Sequence, residues 1–132
     1  MRKQFFLSLA LFWTGVITFF CLIKSSDIPQ VSIENLDKVI HTFFHFVFTL
    51  LWYLFFKKHI KSSFNIKPLG FSIVLSIVFG IVIEILQEFC TTTRTADVND
   101  VLANLIGAIL AIAFVTLVNK FKILENFRKK FL

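Results

Sequence analysis

At 132 residues the chain has room for one domain, yet 57% of it is hydrophobic and 19 positions are phenylalanine. A water-soluble domain of this size cannot hide so many large apolar side chains, so the composition excludes an ordinary soluble protein and points to lipid as the solvent. The formal charge of +6 does not indicate nucleic acid, because the basic residues sit in short clusters between apolar runs, as juxtamembrane anchors do.

Four segments approach the roughly 20 residues that cross a bilayer. The first is Phe5 to Ile23, behind Met1-Arg2-Lys3-Gln4. It has the outline of a signal peptide, but Phe19, Phe20 and Cys21 occupy the exit region where a small-residue cleavage site belongs, so a retained helix is expected. The second runs from about Val39 to Phe56 and carries His41 and His45. The third is Pro68 to Cys90, with Pro68 suited to a first helical turn. The fourth is about Val101 to Val118, preceded by Asp97-Val98-Asn99-Asp100, which can cap its exposed N–H groups. The expectation is an all-α membrane protein, a single four-helix domain over 1–132 with spans at 5–23, 39–56, 68–90 and 101–118.

The tail 119–132 carries Phe121, Leu124, Phe127 and Phe131 at helical spacing among basic residues. It reads equally as an amphipathic helix on the headgroups or as an extension of helix four. Arg2, Lys3, Lys57, Lys58, Lys61, Lys67 and the basic residues of the tail fall on one side of the membrane, leaving only Lys24, Lys38 and Arg94 on the other. The positive-inside rule makes the richer side cytoplasmic, with both termini inside a bacterial cytoplasmic membrane. Cys21 and Cys90 fit neither a disulfide framework nor a zinc spacing; they lie at the same membrane face, where a single bridge is open to them but two unbridged thiols are the commoner state.

The outward helix ends gather the polar residues. Asp37, His41 and His45 are spaced i, i+4, i+8 and line one stripe of helix two, with Lys38 beside them. Glu84, Gln87 and Glu88 share a face near the end of helix three, and Glu84 lies about 9 Å below Cys90. The next loop supplies Arg94 and Asp97, and helix four opens with Asp100, Asn104 and Gly107. An ionisable side chain inside a membrane costs about 2.5–3.5 kcal/mol on insertion scales and normally faces the bundle interior. Several at one depth on three helices are expected to satisfy one another. Gly107 and Ala111 would let helix four approach a neighbour closely.

The pattern Asp37-Lys38-x-x-His41, Glu84-x-x-Gln87-x-Phe89, Arg94, Asp97, Asp100, Asn104 and Gly107 resembles the VanZ-like family of small bacterial membrane proteins. The resemblance extends over about residues 5–118, and Thr91-Thr92-Thr93 departs from the Pro-Gly turn it implies before Arg94. It implies a cell-envelope setting, since the prototype is associated with low-level resistance to teicoplanin, a glycopeptide directed at cell-wall precursors. It implies no reaction.

Function is therefore read from the polar set, in which Asp37, Lys38, His41, Glu84, Gln87, Arg94, Asp97, Asp100 and Asn104 form a ligand site or a closed network. The leading expectation is a protein that binds or shields a lipid-linked or headgroup ligand at the outer leaflet, with membrane lipid or a lipid-linked cell-wall precursor as partner. The first alternative is an intramembrane acid/base enzyme using His41, Glu84 and Asp100. The second is a small transporter or scramblase subunit, although no broken-helix pair or repeat is evident. For Glu84 and Asp100 a structural network is weighed ahead of catalysis, and His45 is read as structural. A phosphate on Lys38 and Arg94 is disfavoured by the surplus of carboxylates. No metal or other cofactor is expected, because no compact ligand motif such as H-E-x-x-H is present.

Overall fold

The computed structural model describes residues 2–23, 35–60, 66–92 and 95–131. It contains four helices, α1 (Arg2–Leu22), α2 (Leu36–His59), α3 (Ile66–Cys90) and α4 (Val98–Phe131), and no strand among the described residues. Each includes a stretch long and apolar enough to cross a membrane: Gln4–Leu22, Leu36–His59, Ile66–Cys90 and Val98–Ile123.

The helices extend beyond the apolar runs that identify them. α2 begins at Leu36, after Asn35 in the left-handed region at φ 61°, a conformation asparagine tolerates better than most residues. Asp37 and Lys38 therefore lie within its first turn. α4 does not stop near Val118 but runs unbroken through the tail. No glycine or proline follows Gly107 to end it, and Glu125 and Lys129, one turn apart, pair at 2.7 Å. The tail is thus an extension of the fourth helix, with Phe121 exposed on it.

α2 packs against the other three helices, and no packing joins α1 to α4 among the described residues. A hydrogen bond from Gln87 to the Cys21 carbonyl, and ion pairs from Lys38 to Asp97 and Asp100, bring the C-terminal ends of α1 and α3 together with the N-terminal ends of α2 and α4. α2 and α4 therefore run parallel to each other and antiparallel to α1 and α3. Their close contact depends on Ala103, Gly107 and Ala111, with both alanines buried. A Cβ added at Gly107 would collide with the Thr42 carbonyl oxygen and lie 2.9 Å from the Phe46 nitrogen.

The apolar core lies among α1, α2 and α3, where Ile17, Cys21, Phe48 and Ile83 are buried with Trp13, Trp52 and Phe79 against them. Phe48 and Phe79 stack with centroids 4.8 Å apart. Both indoles find acceptors: Trp13 donates to the Phe44 carbonyl and Trp52 to Thr14 Oγ1. Cys21 is buried, Cys90 is exposed, and no disulfide joins them.

The radial distribution reverses that of a soluble protein. Phe12, Phe19, Phe43, Phe71 and Phe89 project outward, while His41, His45, Thr49, Ser72, Ser76, Glu84, Gln87, Asp100 and Asn104 are buried. Lipid solvates the first group, and the second must find partners within the bundle.

Candidate functional site

The stripe Asp37, His41, His45 descends from the end of α2 into the bundle, and burial follows depth. The Asp37 side chain is 54% exposed, that of His41 2%, and His45 is enclosed. His41 Nδ1 lies 3.1 Å from Asn104 Oδ1 of α4. Three carboxylates surround the same ring at longer range: Glu84 Oε1 at 4.0 Å from Nδ1, and Asp37 Oδ1 and Asp100 Oδ2 at 3.9 and 3.8 Å from Nε2. His41 is thus the point where α2, α3 and α4 meet, and its hydrogen-bond partner is the amide rather than an acid.

Lys38 serves the α4 end of the site. Its ammonium lies 3.1 Å from both Asp97 Oδ2 and Asp100 Oδ1. Asp97 also caps α4, its Oδ1 accepting the Asn99 N–H at 2.8 Å. That bond, and then Lys38, hold the Asp97 carboxyl below its ordinary pKa. Thr42 adds a second α2–α4 tie, its one hydroxyl proton shared between the Lys38 carbonyl of its own helix at 2.8 Å and the Ala103 carbonyl of α4 at 3.2 Å.

The α3 carboxylates organise the approach to α4. Glu88 Oε2 accepts the Ala96 N–H at 2.8 Å and Glu84 Oε2 the Asp97 N–H at 3.1 Å. Glu84 Oε1 is buried without a hydrogen bond among the described residues. One oxygen of Glu84 is therefore structural and the other faces the histidine.

Asp37, Lys38, His41, Glu84, Asp97, Asp100 and Asn104 come together. Gln87 does not join their network: it turns to α1, donating from Nε2 to the Cys21 carbonyl at 2.9 Å, one of the carbonyls that a helix end leaves without an internal partner. Arg94 lies outside the described residues. His45 bonds Ser76 Oγ at 2.8 Å, with its Nε2 left without a hydrogen bond.

Two participants were not anticipated from the sequence, Ser76 and Gly80. A Cβ at Gly80 would lie 3.0 Å from Asn104 Nδ2 and 3.1 Å from His45 Cε1, so this glycine admits both side chains. The available signal was the spacing Ser72, Ser76, Gly80, Glu84, one residue per turn on a single buried face of α3.

Beside this cluster an open groove of about 550 Å³ runs between α2 and α4. Asn35, Lys38 and Asn99 line it together with the apolar Val39, Leu102 and Ile106. His41, Glu84 and Asp100 do not line it; all three are buried.

Neither a curated protein nor a solved structure matches the chain. The family profile VanZ/LLP1 matches residues 4–119, a stretch that holds all four membrane-crossing segments except the last turn of the fourth, and every residue of the polar cluster. With four apolar helices arranged around that cluster, the chain is a multi-pass membrane protein that belongs to the VanZ/LLP1 family.

Proposed function

We propose that the protein binds a lipid-borne molecule at the polar end of its bundle, with the headgroup at Lys38 and an acyl or isoprenoid chain in the α2–α4 groove. In this reading it resides in the bacterial cytoplasmic membrane with both termini cytoplasmic, and the polar end opens to the outer leaflet. The observation that carries the proposal is the groove, whose polar residues Asn35, Lys38 and Asn99 lie at the helix N-termini and whose apolar walls are Val39, Leu102 and Ile106. That order of chemistry matches a lipid entering from the side.

The charge balance narrows the headgroup. Among the described residues, Asp37, Glu84, Asp97 and Asp100 share this end of the bundle with one lysine, which already meets Asp97 and Asp100. A headgroup carrying an amine or several hydroxyl donors suits this setting better than a bare phosphate. A lipid-linked cell-wall precursor carries both kinds of group, which accommodates the association of related proteins with glycopeptide resistance.

Native mass spectrometry of the detergent-purified protein, supplemented with a panel of bacterial lipids, tests the proposal. A retained lipid of defined class is expected, and Ile106→Trp, which fills the groove from an exposed position, should remove it. Equal lipid retention by wild type and Ile106→Trp would overturn the groove as the binding site.

A second reading, acid/base chemistry on a lipid-linked substrate, draws on the unbonded Glu84 Oε1 at 4.0 Å from His41. It requires substrate to reach side chains that are buried in the bundle. Lipid profiles of cells with and without the gene separate the two: turnover changes the amount of a lipid-linked intermediate and is abolished by Glu84→Gln, whereas binding alone leaves the pool chemically unaltered.

A further inference from the structure

Asp37 and His41 stand one turn apart on α2, and Asp100 reaches the same point from the first turn of α4. One ligand atom from each lies within 4.8 Å of the other two. The distances from His41 Nε2 to Asp37 Oδ1 and Asp100 Oδ2, 3.9 and 3.8 Å, are too long for hydrogen bonds. They are close to the separation of about 3.4 Å between two ligands of a tetrahedral ion with bonds near 2.1 Å.

The hydrogen bonding of the histidine gives a second indication. Asn104 Oδ1 lies 3.1 Å from Nδ1 and engages that nitrogen, so Nε2 is the ring atom turned toward the two carboxylates. His41 is 2% exposed, and among the described residues no hydrogen bond reaches Nε2. Three candidate ligand atoms thus converge, and among the described residues no hydrogen bond joins them. Lys38 meets the other oxygen of Asp100, leaving Oδ2 to the cluster. The buried Glu84 Oε1 stands 4.0 Å from Nδ1, too far for a hydrogen bond, and adds negative charge beside the imidazole.

We propose that Asp37 Oδ1, His41 Nε2 and Asp100 Oδ2 bind a divalent transition-metal ion, of which zinc and manganese suit one imidazole and two carboxylates. Asn104 and Glu84 are the positioning residues behind His41. Asp37, half exposed, gives the ion its route from water, and three protein ligands leave at least one coordination position for a water or a ligand oxygen. None of the three ligands lines the groove, which the site adjoins through the contact of Lys38 with Asp100.

The full chain in detergent, stripped with chelator and dialysed, is titrated with Zn²⁺ by calorimetry, and its metal content is measured after gel filtration. About one equivalent per chain is expected. His41→Gln and Asp100→Asn should abolish binding, and Asp37→Asn should weaken it at least tenfold. Glu88→Gln, an exposed carboxylate at the same end, should bind as wild type does. Cobalt should give visible ligand-field bands in wild type that Asp37→Asn alters. Asp37→Asn decides the matter if the buried variants fail to fold, because Asp37 contributes little to packing. Absence of saturable binding would overturn the site, as would binding that survives Asp37→Asn unchanged, which marks an adventitious ion only. Ile106→Trp should leave Zn²⁺ binding intact, so failure here is distinct from failure of the lipid groove.

Discussion

Lys38 Nζ lies 3.1 Å from Asp100 Oδ1 and 3.1 Å from Asp97 Oδ2, so one ammonium joins α2 to the capping turn of α4. The two pairs are not equivalent. The Asp100 side chain is 8% exposed and that of Asp97 39%, so water competes for Asp97 far more effectively.

Lys38→Met should therefore destabilise the protein mainly through Asp100, whose carboxylate loses its counter-ion while remaining buried. Breaking a fully buried pair costs about 3–5 kcal/mol, and partial exposure of Lys38 reduces the expected loss to about 1–2 kcal/mol. Thermal unfolding in detergent of Lys38→Met, Asp100→Asn and the double variant measures it. The double variant should be less destabilised than the sum of the singles; strict additivity would mean that the pair does not interact.

The α2–α4 contact makes a sharper steric prediction. Gly107→Ala places a methyl group on the Thr42 carbonyl, and backbone cannot rotate away as a side chain can. The expected loss is about 1–3 kcal/mol. Gly15→Ala is the internal control, since a Cβ there meets nothing within 4 Å. It should be neutral or stabilising by up to about 1 kcal/mol through helix propensity. Equal melting temperatures for the two variants would contradict the close approach of α2 and α4.

These contrasts show what the sequence carries and what it does not. Apolar length identifies the four spans, because a bilayer demands it of each helix separately. Spacing identifies the stripe of Asp37, His41 and His45, because the helical period is local. Partner choice is not local. Gln87 bonds the Cys21 carbonyl, a backbone group that no side-chain pattern announces, and Asn104 rather than a carboxylate takes His41 Nδ1. Ser76 and Gly80 carry no charge and look like helix filler until α2 and α4 are set against them. The length of α4 was obscured for another reason: hydropathy falls after Val118 although nothing in the chain breaks the helix.

The Gln87 bond predicts a change localised to α1. Gln87→Leu keeps the volume but removes the Gln87 hydrogen bond to the Cys21 carbonyl, a loss of about 1 kcal/mol. Cys21 is buried and reports the loosening directly. With Cys90 replaced by serine, a membrane-permeant maleimide should label Cys21 slowly in the wild-type background and several-fold faster with Gln87→Leu. Unchanged labelling would show that this bond does not hold α1 in place.

Acid stability provides the last test. The Asn99 N–H, and then Lys38, favour the charged form of Asp97 and lower its pKa from the usual 3.8. A carboxylate whose folded pKa is depressed stabilises the fold fully above its unfolded pKa and loses that contribution as the pH falls through the lower, folded one. The melting temperature of wild type should thus carry an Asp97 contribution that is constant above about pH 5 and declines below pH 4. Asp97→Asn keeps a side-chain oxygen able to cap α4 but removes the titration. The difference between wild type and Asp97→Asn should therefore shrink on acidification, whatever the other carboxylates do in both proteins. A difference that stays constant from pH 7 to pH 3 would mean that neither the Asn99 N–H nor Lys38 favours the charged form of Asp97.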